Sequence, residues 1–288
     1  MLPAFSCIMH PLISALRLHQ WYKNLLIFLP IIFSGHLLNV QAFFLTFVGC
    51  ALLCVLSSGN YCINDFFDWK RDKWNPDKKQ KLSRNFLLVL GLILVIFSLY
   101  LSLKIFPAIF TVFLFSLFVT TFLYSAILKL YPFVDILIIA VNFVLRAVSG
   151  AFVIVESSKP YVWVSPWLII CTFFLALFIA VGKRYVEFAK HSNDFRPTLQ
   201  SYTPELTKSL MIIATSCLII SYTLYSFLGE NKNMIFTLPF ALYTIFTYLG
   251  FIYNHSKIAE KSHLVVTSPK MIAGILLWVV ATLIILYL

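Results

Sequence analysis

The chain has 288 residues, 61% of them hydrophobic and only 11% charged, and its mean hydropathy is +0.91. A soluble domain carries roughly 25% charged residues, so this composition excludes a soluble enzyme and describes an all-α, polytopic membrane helix bundle, with residues 1–288 as one transmembrane domain. The net charge of +11 argues for a membrane and against nucleic acid as partner, because the basic residues are confined to particular loops between apolar runs.

In chain order, Leu2–Met9 has no basic stretch before it, so no cleaved signal peptide is expected. Residues 1–23 read as an N-terminal interfacial segment. Arg17, Gln20, Trp21 and Asn24 share one helical face there, and Trp21, Tyr22 and Lys23 suit the headgroup level. Lys23 is also a candidate phosphate contact. Nine membrane-length segments follow, at about 24–39, 41–62, 86–104, 107–128, 133–155, 162–182, 209–228, 234–252 and 270–288. Pro107, Pro132, Pro166 and Pro239 stand at or near segment starts, where a missing N–H costs least.

The second segment runs into the most polar stretch of the chain, Ser57–Arg84. It holds four of the 11 acidic residues (Asp65, Asp68, Asp72, Asp77) and seven of the 22 basic ones, Lys78 among them. Asn60, Asn64, Asp68 and Asp72 recur every fourth residue, which on a helix makes one stripe with Asp65 at its edge. Carboxylates a turn apart repel each other, and a hard cation removes the repulsion. Mg²⁺ suits such a stripe because it is commonly held by one or two carboxylates plus waters and substrate phosphate oxygens. This makes Asn64, Asp65, Asp68 and Asp72 the catalytic candidates, with Asn64, Asp68 and Asp72 as metal ligands and Asn60 and Lys78 as substrate contacts. The other reading is a solvated charged loop between two spans.

Further along, Arg146 falls within the fifth segment, where a bare cation is costly and marks a functional candidate. Asp135, Asn142 and Arg146 are spaced to form one polar stripe; a structural ion pair is the competing reading. The sixth segment ends in FIAVGKRYVEF, with Lys183 and Glu187 one turn apart and Arg184 beside them. Two cations at a helix end can grip a phosphate, and they are also what the positive-inside rule expects there. With nine crossings, 18 of the 22 Lys and Arg fall on the side of the N-terminus and three on the other, leaving Arg146. That bias makes the N-terminal side cytoplasmic and puts Asp68, Tyr124, Lys129 and Lys183 on it, at the plasma (bacterial inner) membrane. The six cysteines form no CxxC and read as small apolar residues.

NDFFDWKRD, residues 64–72, resembles the NDxxDxxxD motif of the UbiA superfamily of intramembrane prenyltransferases, whose fold is a nine-helix bundle. Within it, ALRLHQWYKNLLIFLPIIFSG, NDFFDWKRDKWNPDKK, YSAILKLYPFVDILIIAVNFVLRAVSGA, LFIAVGKRYVEF and LQSYTPELTKSL are similar to the decaprenyl-phosphate phosphoribosyltransferases. The resemblance implies an Mg²⁺-dependent enzyme joining a polyprenyl phosphate to 5-phosphoribosyl diphosphate. It implies that Asn64, Asp65, Asp68 and Asp72 hold the metal and diphosphate. Tyr124, Lys129, Lys183, Arg184 and Glu187 would line the phosphate and ribose pocket. The chain departs from HPxKxxRPIA after the motif, where it has Asn75 and Lys81-Leu82, and its last loop, KSHLVVTSPK, lacks acidic residues. Prenyl transfer to an aromatic acceptor is the alternative; such enzymes usually bring a second DxxxD motif, which is not found here outside the first.

Overall fold

The structure, a computed structural model, describes residues 11–72, 82–153, 165–190, 201–229 and 231–288, without the side chains of residues 70–72 and 190. Its regular elements are helical throughout. Eight are long and apolar enough to cross a membrane: α1 (Val40–Asp72), α2 (Arg84–Ile105), α3 (Ala108–Ala126), α4 (Val134–Ser149), α5 (Pro166–Lys190), α6 (Pro204–Leu228), α7 (Leu238–Tyr253) and α8 (Pro269–Tyr287). The first of the nine expected segments takes another form, a 3₁₀-helix over Leu18–Phe28 followed by a short helix at Leu29–Phe33.

α2 shows why these helices suit lipid. Leu87, Gly91, Val95, Ser98 and Ser102 make its buried stripe, whereas Val89, Ile93, Ile96, Tyr100 and Leu103 are exposed. The small and hydroxyl-bearing residues face inward and the large apolar ones outward, as expected where the solvent is hydrocarbon. Ser83 caps this helix, its hydroxyl accepting from Phe86 N at 3.3 Å.

The chain divides into two compact units. Unit 1 comprises residues up to 31, 39–129 and 145–162. Its core gathers Ile27, Leu53, Leu56, Ile63, Phe110, Leu114 and Leu117. Small residues set the distance between α1 and α2: a Cβ on Gly59 would stand 2.8 Å from the Gly91 carbonyl oxygen. Ser98 Oγ donates across the same seam to Leu52 O at 2.8 Å. Gly150, just past α4, touches the 3₁₀-helix so closely that a Cβ would lie 2.0 Å from Ile27 O.

Unit 2 comprises residues 32–38, 130–144 and 163–288. Phe178, Val181, Met211, Ala214, Tyr248 and Ile252 form its core. Thr203 and Ser268 cap α6 and α8, each followed by proline in the first turn. Tyr287 OH donates to Ile32 O at 2.8 Å and accepts from Leu37 N at 3.1 Å, tying residues 32–38 to the end of α8.

α1 positions the acidic motif. Its 33 residues rise about 50 Å, whereas about 20 residues cross a hydrocarbon core. Counted from Val40, twenty residues end at Gly59. The helix therefore carries Asn60, Asn64, Asp65 and Asp68 onward, beyond what a span requires.

Candidate active site

The described part of the motif lies on the last turns of α1, within unit 1. Asn60, Asp65 and Asp68 are buried and Asn64 is half-buried. Asn64 Nδ2 donates to Asp68 Oδ2 at 3.3 Å, the one-turn contact expected of the stripe. Lys129, on the 3₁₀ turn Leu128–Leu130 after α3, pairs with Asp68 Oδ1. Arg17 pairs with Asp65 Oδ1 at 2.5 Å, and its guanidinium lies 5.1 Å from the Tyr61 ring centroid. Each described carboxylate of the motif thus meets a cation from a different segment, which makes its burial tolerable. Asn60 Nδ2 is buried and has no hydrogen-bond partner among the described residues. Arg84 stacks on Phe66 at 4.2 Å, and Phe66 and Phe67 meet edge-on at 5.5 Å. Tyr124 is half-buried on the last turn of α3. α1 ends at Asp72 as a backbone; its side chain, with Asn75, Lys78 and Lys81, lies outside the described residues.

The 3₁₀-helix docks along α1. At about three residues per turn, Trp21, Asn24 and Ile27 line up. Trp21 Nε1 donates to Ser58 Oγ at 3.0 Å. Asn24 is a hub: its Oδ1 accepts from Arg146 Nε at 2.9 Å and Ser57 Oγ at 3.2 Å, and its Nδ2 donates to Cys54 Sγ at 3.3 Å. Of the face expected from sequence, Arg17, Trp21 and Asn24 bond to residues of α1, while Gln20 contacts His19. Lys23, half-buried, has Tyr22 under its ammonium at 5.9 Å. Burial foremost, then the charges of Arg146 and Arg17, pull Lys23 down to about 7.

Unit 2 holds a separate cluster. Arg184, buried on α5, donates through Nε to Asp135 Oδ2 at 2.8 Å and through Nη1 to Glu187 Oε2 at 2.6 Å. Tyr202 OH donates to Asp135 Oδ1 at 2.7 Å and accepts from Phe133 N at 3.0 Å. Burial and the neighbouring Asp135 carboxylate push the Tyr202 phenol up, so it stays a donor at every physiological pH. Phe133 adopts a left-handed conformation with φ of 65°, fixed by this bond and by edge-on packing against Tyr202 at 5.4 Å. Lys183 is the exposed cation of the group, with Glu187 Oε1 at 3.8 Å.

α4 separates the residues that its sequence stripe suggested as one row. Asp135 on its first turn bonds Arg184 and Tyr202 in unit 2, whereas Arg146 on its last turn bonds Asn24 in unit 1. The eleven positions between them are about 16 Å of helix, so the two are not a pair. Tyr202 and Arg17 were not singled out as site residues from sequence. Only the spacing of Arg17 with Trp21 and Asn24 signalled its face, and nothing local signals that Tyr202 reaches Asp135, 67 positions earlier.

Among the described residues no three His, Cys, Asp or Glu side chains come together as a metal group. The donor set nevertheless fits Mg²⁺. Asn64 and Asp68 offer hard oxygen ligands a turn apart, α1 continues one further turn to Asp72, and Mg²⁺ needs only one or two carboxylates when waters and phosphate oxygens complete its shell.

Comparison with known proteins places this geometry in context. The family model described as UbiA prenyltransferase family matches residues 26–266. A decaprenyl-phosphate phosphoribosyltransferase of Corynebacterium glutamicum is 26% identical over 228 residues, 75% of this chain and 67% of that protein. One from Mycolicibacterium smegmatis is 27% identical over 246 residues, 79% and 73% of the two chains. The fold is similar to that of a UbiA homologue from Archaeoglobus fulgidus bound to geranyl diphosphate and Mg²⁺, with a TM-score of 0.70, 16% identity and coverage of 96% of this chain and all of that one.

Proposed function

From its membership of the UbiA prenyltransferase family, we propose that this chain is an Mg²⁺-dependent membrane transferase that joins a polyprenyl phosphate to 5-phosphoribosyl diphosphate and releases diphosphate. The observation that carries the reading is the buried cluster at the end of α1, where Asn64, Asp68 and Lys129 meet. The names of the corynebacterial and mycobacterial relatives support the phosphoribosyl donor. The end of α5 supports it as well, because Lys183, Arg184 and Glu187 occupy the place where aromatic prenyltransferases usually carry a second acidic motif.

In the reaction a phosphate oxygen of the lipid attacks C1 of the ribose. The bond from C1 to the diphosphate oxygen breaks, and the diphosphate leaves with the electron pair. The lipid phosphate is already an anion near neutral pH, so no strong general base is required. Mg²⁺, when bound, neutralises charge on the leaving diphosphate. Asn64, Asp68 and Asp72 would hold that cation. Lys129, now paired with Asp68, is placed to exchange this carboxylate for a diphosphate oxygen and so to stabilise developing charge. Lys183, exposed on α5, is proposed as a further phosphate contact, and Arg184 as the residue that positions Asp135 and Glu187. Asp65 has a positioning role through Arg17. Tyr124 and Lys78 are proposed to line the donor pocket. The loop charge bias supports a cytoplasmic site at the bacterial inner membrane; opposite-side labelling of cysteines introduced at Lys79 and Lys159 is the expected result.

Thermal protection of the purified protein tests the donor. Phosphoribosyl diphosphate with Mg²⁺ is expected to raise the melting temperature, whereas an aromatic acid with Mg²⁺ is not. Protection by the aromatic acid alone would replace this reading with prenyl transfer.

A further inference from the structure

Four phenylalanine rings of unit 1 form an unbroken row that begins beside the acidic motif. Phe67 immediately precedes Asp68 on α1, and its ring meets that of Phe122 on α3 nearly edge-on at 5.6 Å. The row then runs along α3, from Phe122 to Phe118 at 6.0 Å and from Phe118 to Phe115 at 6.4 Å. Phe67, Phe122 and Phe115 are 39%, 38% and 53% exposed, and Phe118 is half-buried, so the row is an outer surface rather than core packing.

Two features tie this surface to the site. Every residue of α1 from Leu52 to Phe66 is buried or half-buried, so Phe67 is where the motif end of the helix comes out to the surface. On α3 the row leads away from the end that carries Lys129, the partner of Asp68. Phe115 is seven positions before Phe122, about 10 Å deeper along a helix that spans the membrane.

A polyprenyl phosphate carries its chain directly on the phosphate, through one ester oxygen and with no spacer. In the proposed reaction that phosphate attacks beside the diphosphate that Lys129 meets. Its first isoprene units therefore have to leave over apolar surface next to Asp68. Phe67 and Phe122 offer such a surface, and Phe118 and Phe115 continue it into the bilayer with large apolar ring faces. We infer that Phe67, Phe122, Phe118 and Phe115 seat the isoprenoid chain of the lipid acceptor, laid along α3 with its phosphate at the Asp68 end. The inference rests on the proposed reaction for the identity of the occupant.

Thermal protection of the full chain in detergent tests it. The probes are the monophosphates of geraniol, farnesol, geranylgeraniol and a ten-unit polyprenol, with straight-chain alkyl phosphates of equal carbon number as controls. Wild type and variant are compared at each length in one detergent, which cancels differences in micelle partitioning. The concentration for half-maximal protection is expected to fall as the isoprenoid lengthens, and to fall less for the alkyl series. Removing a ring should weaken binding about two- to tenfold, and its place in the row should decide for which chain. Phe122→Ala should weaken every length, whereas Phe115→Ala should spare geranyl phosphate and weaken the longer chains. Unchanged length dependence in both variants, or equal loss at every length in Phe115→Ala, overturns the inference. Absence of protection by any monophosphate overturns it too. Equal binding of the alkyl series would make the face a seat for any lipid chain, and a smaller oligomer in Phe115→Ala with lipid binding intact would make it an interface between copies; either result overturns it as well. Length-dependent protection in a protein that phosphoribosyl diphosphate with Mg²⁺ fails to protect would uphold the row and sink the phosphoribosyl reading instead.

Discussion

Arg184→Lys keeps a charge and removes a fork. The guanidinium reaches Asp135 through Nε at 2.8 Å and Glu187 through Nη1 at 2.6 Å. A lysine ammonium is a single point on a flexible stem and cannot serve both carboxylates in that geometry. The Arg184 and Asp135 side chains are 3% and 1% exposed, so water does not replace a lost bond. Losing one charged hydrogen bond costs about 1.5–3 kcal/mol. Removing the cation altogether, as in Arg184→Met, leaves buried charge behind and costs about 3–5 kcal/mol. At roughly 2–4 °C per kcal/mol for a large domain, the apparent melting temperature should fall by about 3–12 °C for Lys and 6–20 °C for Met. Scans at one fixed rate in one detergent make the comparison, because membrane proteins unfold irreversibly. Adding Asp135→Asn to Arg184→Met should recover part of the loss, the signature of a coupled pair. The KM for phosphoribosyl diphosphate should change little where the variants remain folded. Wild-type melting together with a tenfold higher KM in Arg184→Lys would refute this reasoning and make the guanidinium a phosphate ligand.

Asp68→Asn or Asp72→Ala should abolish turnover while leaving folded protein in the membrane, and near-normal turnover at low Mg²⁺ in either variant would remove the metal role. Lys23 sits well below the ordinary lysine range, at about 7, so the unfolded chain binds more protons than the folded one between about pH 7 and 10. The ligand-free protein should therefore become more heat-stable from pH 7 to pH 9, with a shallower slope in Lys23→Met; identical slopes would contradict it. Gly150→Ala places a methyl group 2.0 Å from a backbone oxygen that cannot rotate away, so the variant should express poorly or melt far below wild type, and unchanged melting would refute the close approach.

How far the sequence reaches is set by what each residue's signal is made of. Hydropathy located eight of the long helices because lipid-facing and core-facing residues are both apolar, as the two stripes of α2 show. The same signal under-measured the two helices that carry most of the candidate site residues. Apolar runs ending near residues 62 and 182 gave way to helices that continue to Asp72 and Lys190. A charged stretch closes a hydropathy window but does not break a helix, and the fourfold spacing of Asn60, Asn64 and Asp68 was the evidence that α1 goes on. The N-terminal segment differs in helix type: its residues are apolar enough for a span, but Leu18–Phe28 is a 3₁₀-helix, in which Trp21, Asn24 and Ile27 line up, a choice of backbone that hydropathy does not report. Partners distant in the chain carry no local signal. Arg146 was conspicuous as a charge inside an apolar run, yet nothing near it names Asn24, 122 positions earlier, as its acceptor. Arg184 shows the same limit from the other side. A cation at a helix end reads as a ligand for a phosphate, and nothing local shows that two carboxylates of its own unit, Asp135 and Glu187, bond its guanidinium on both edges. The ammonium beside it, Lys183, is the exposed member of the group, 3.8 Å from Glu187 Oε1, and its proposed contact with a substrate phosphate is the part that its place at a helix end already suggests from sequence.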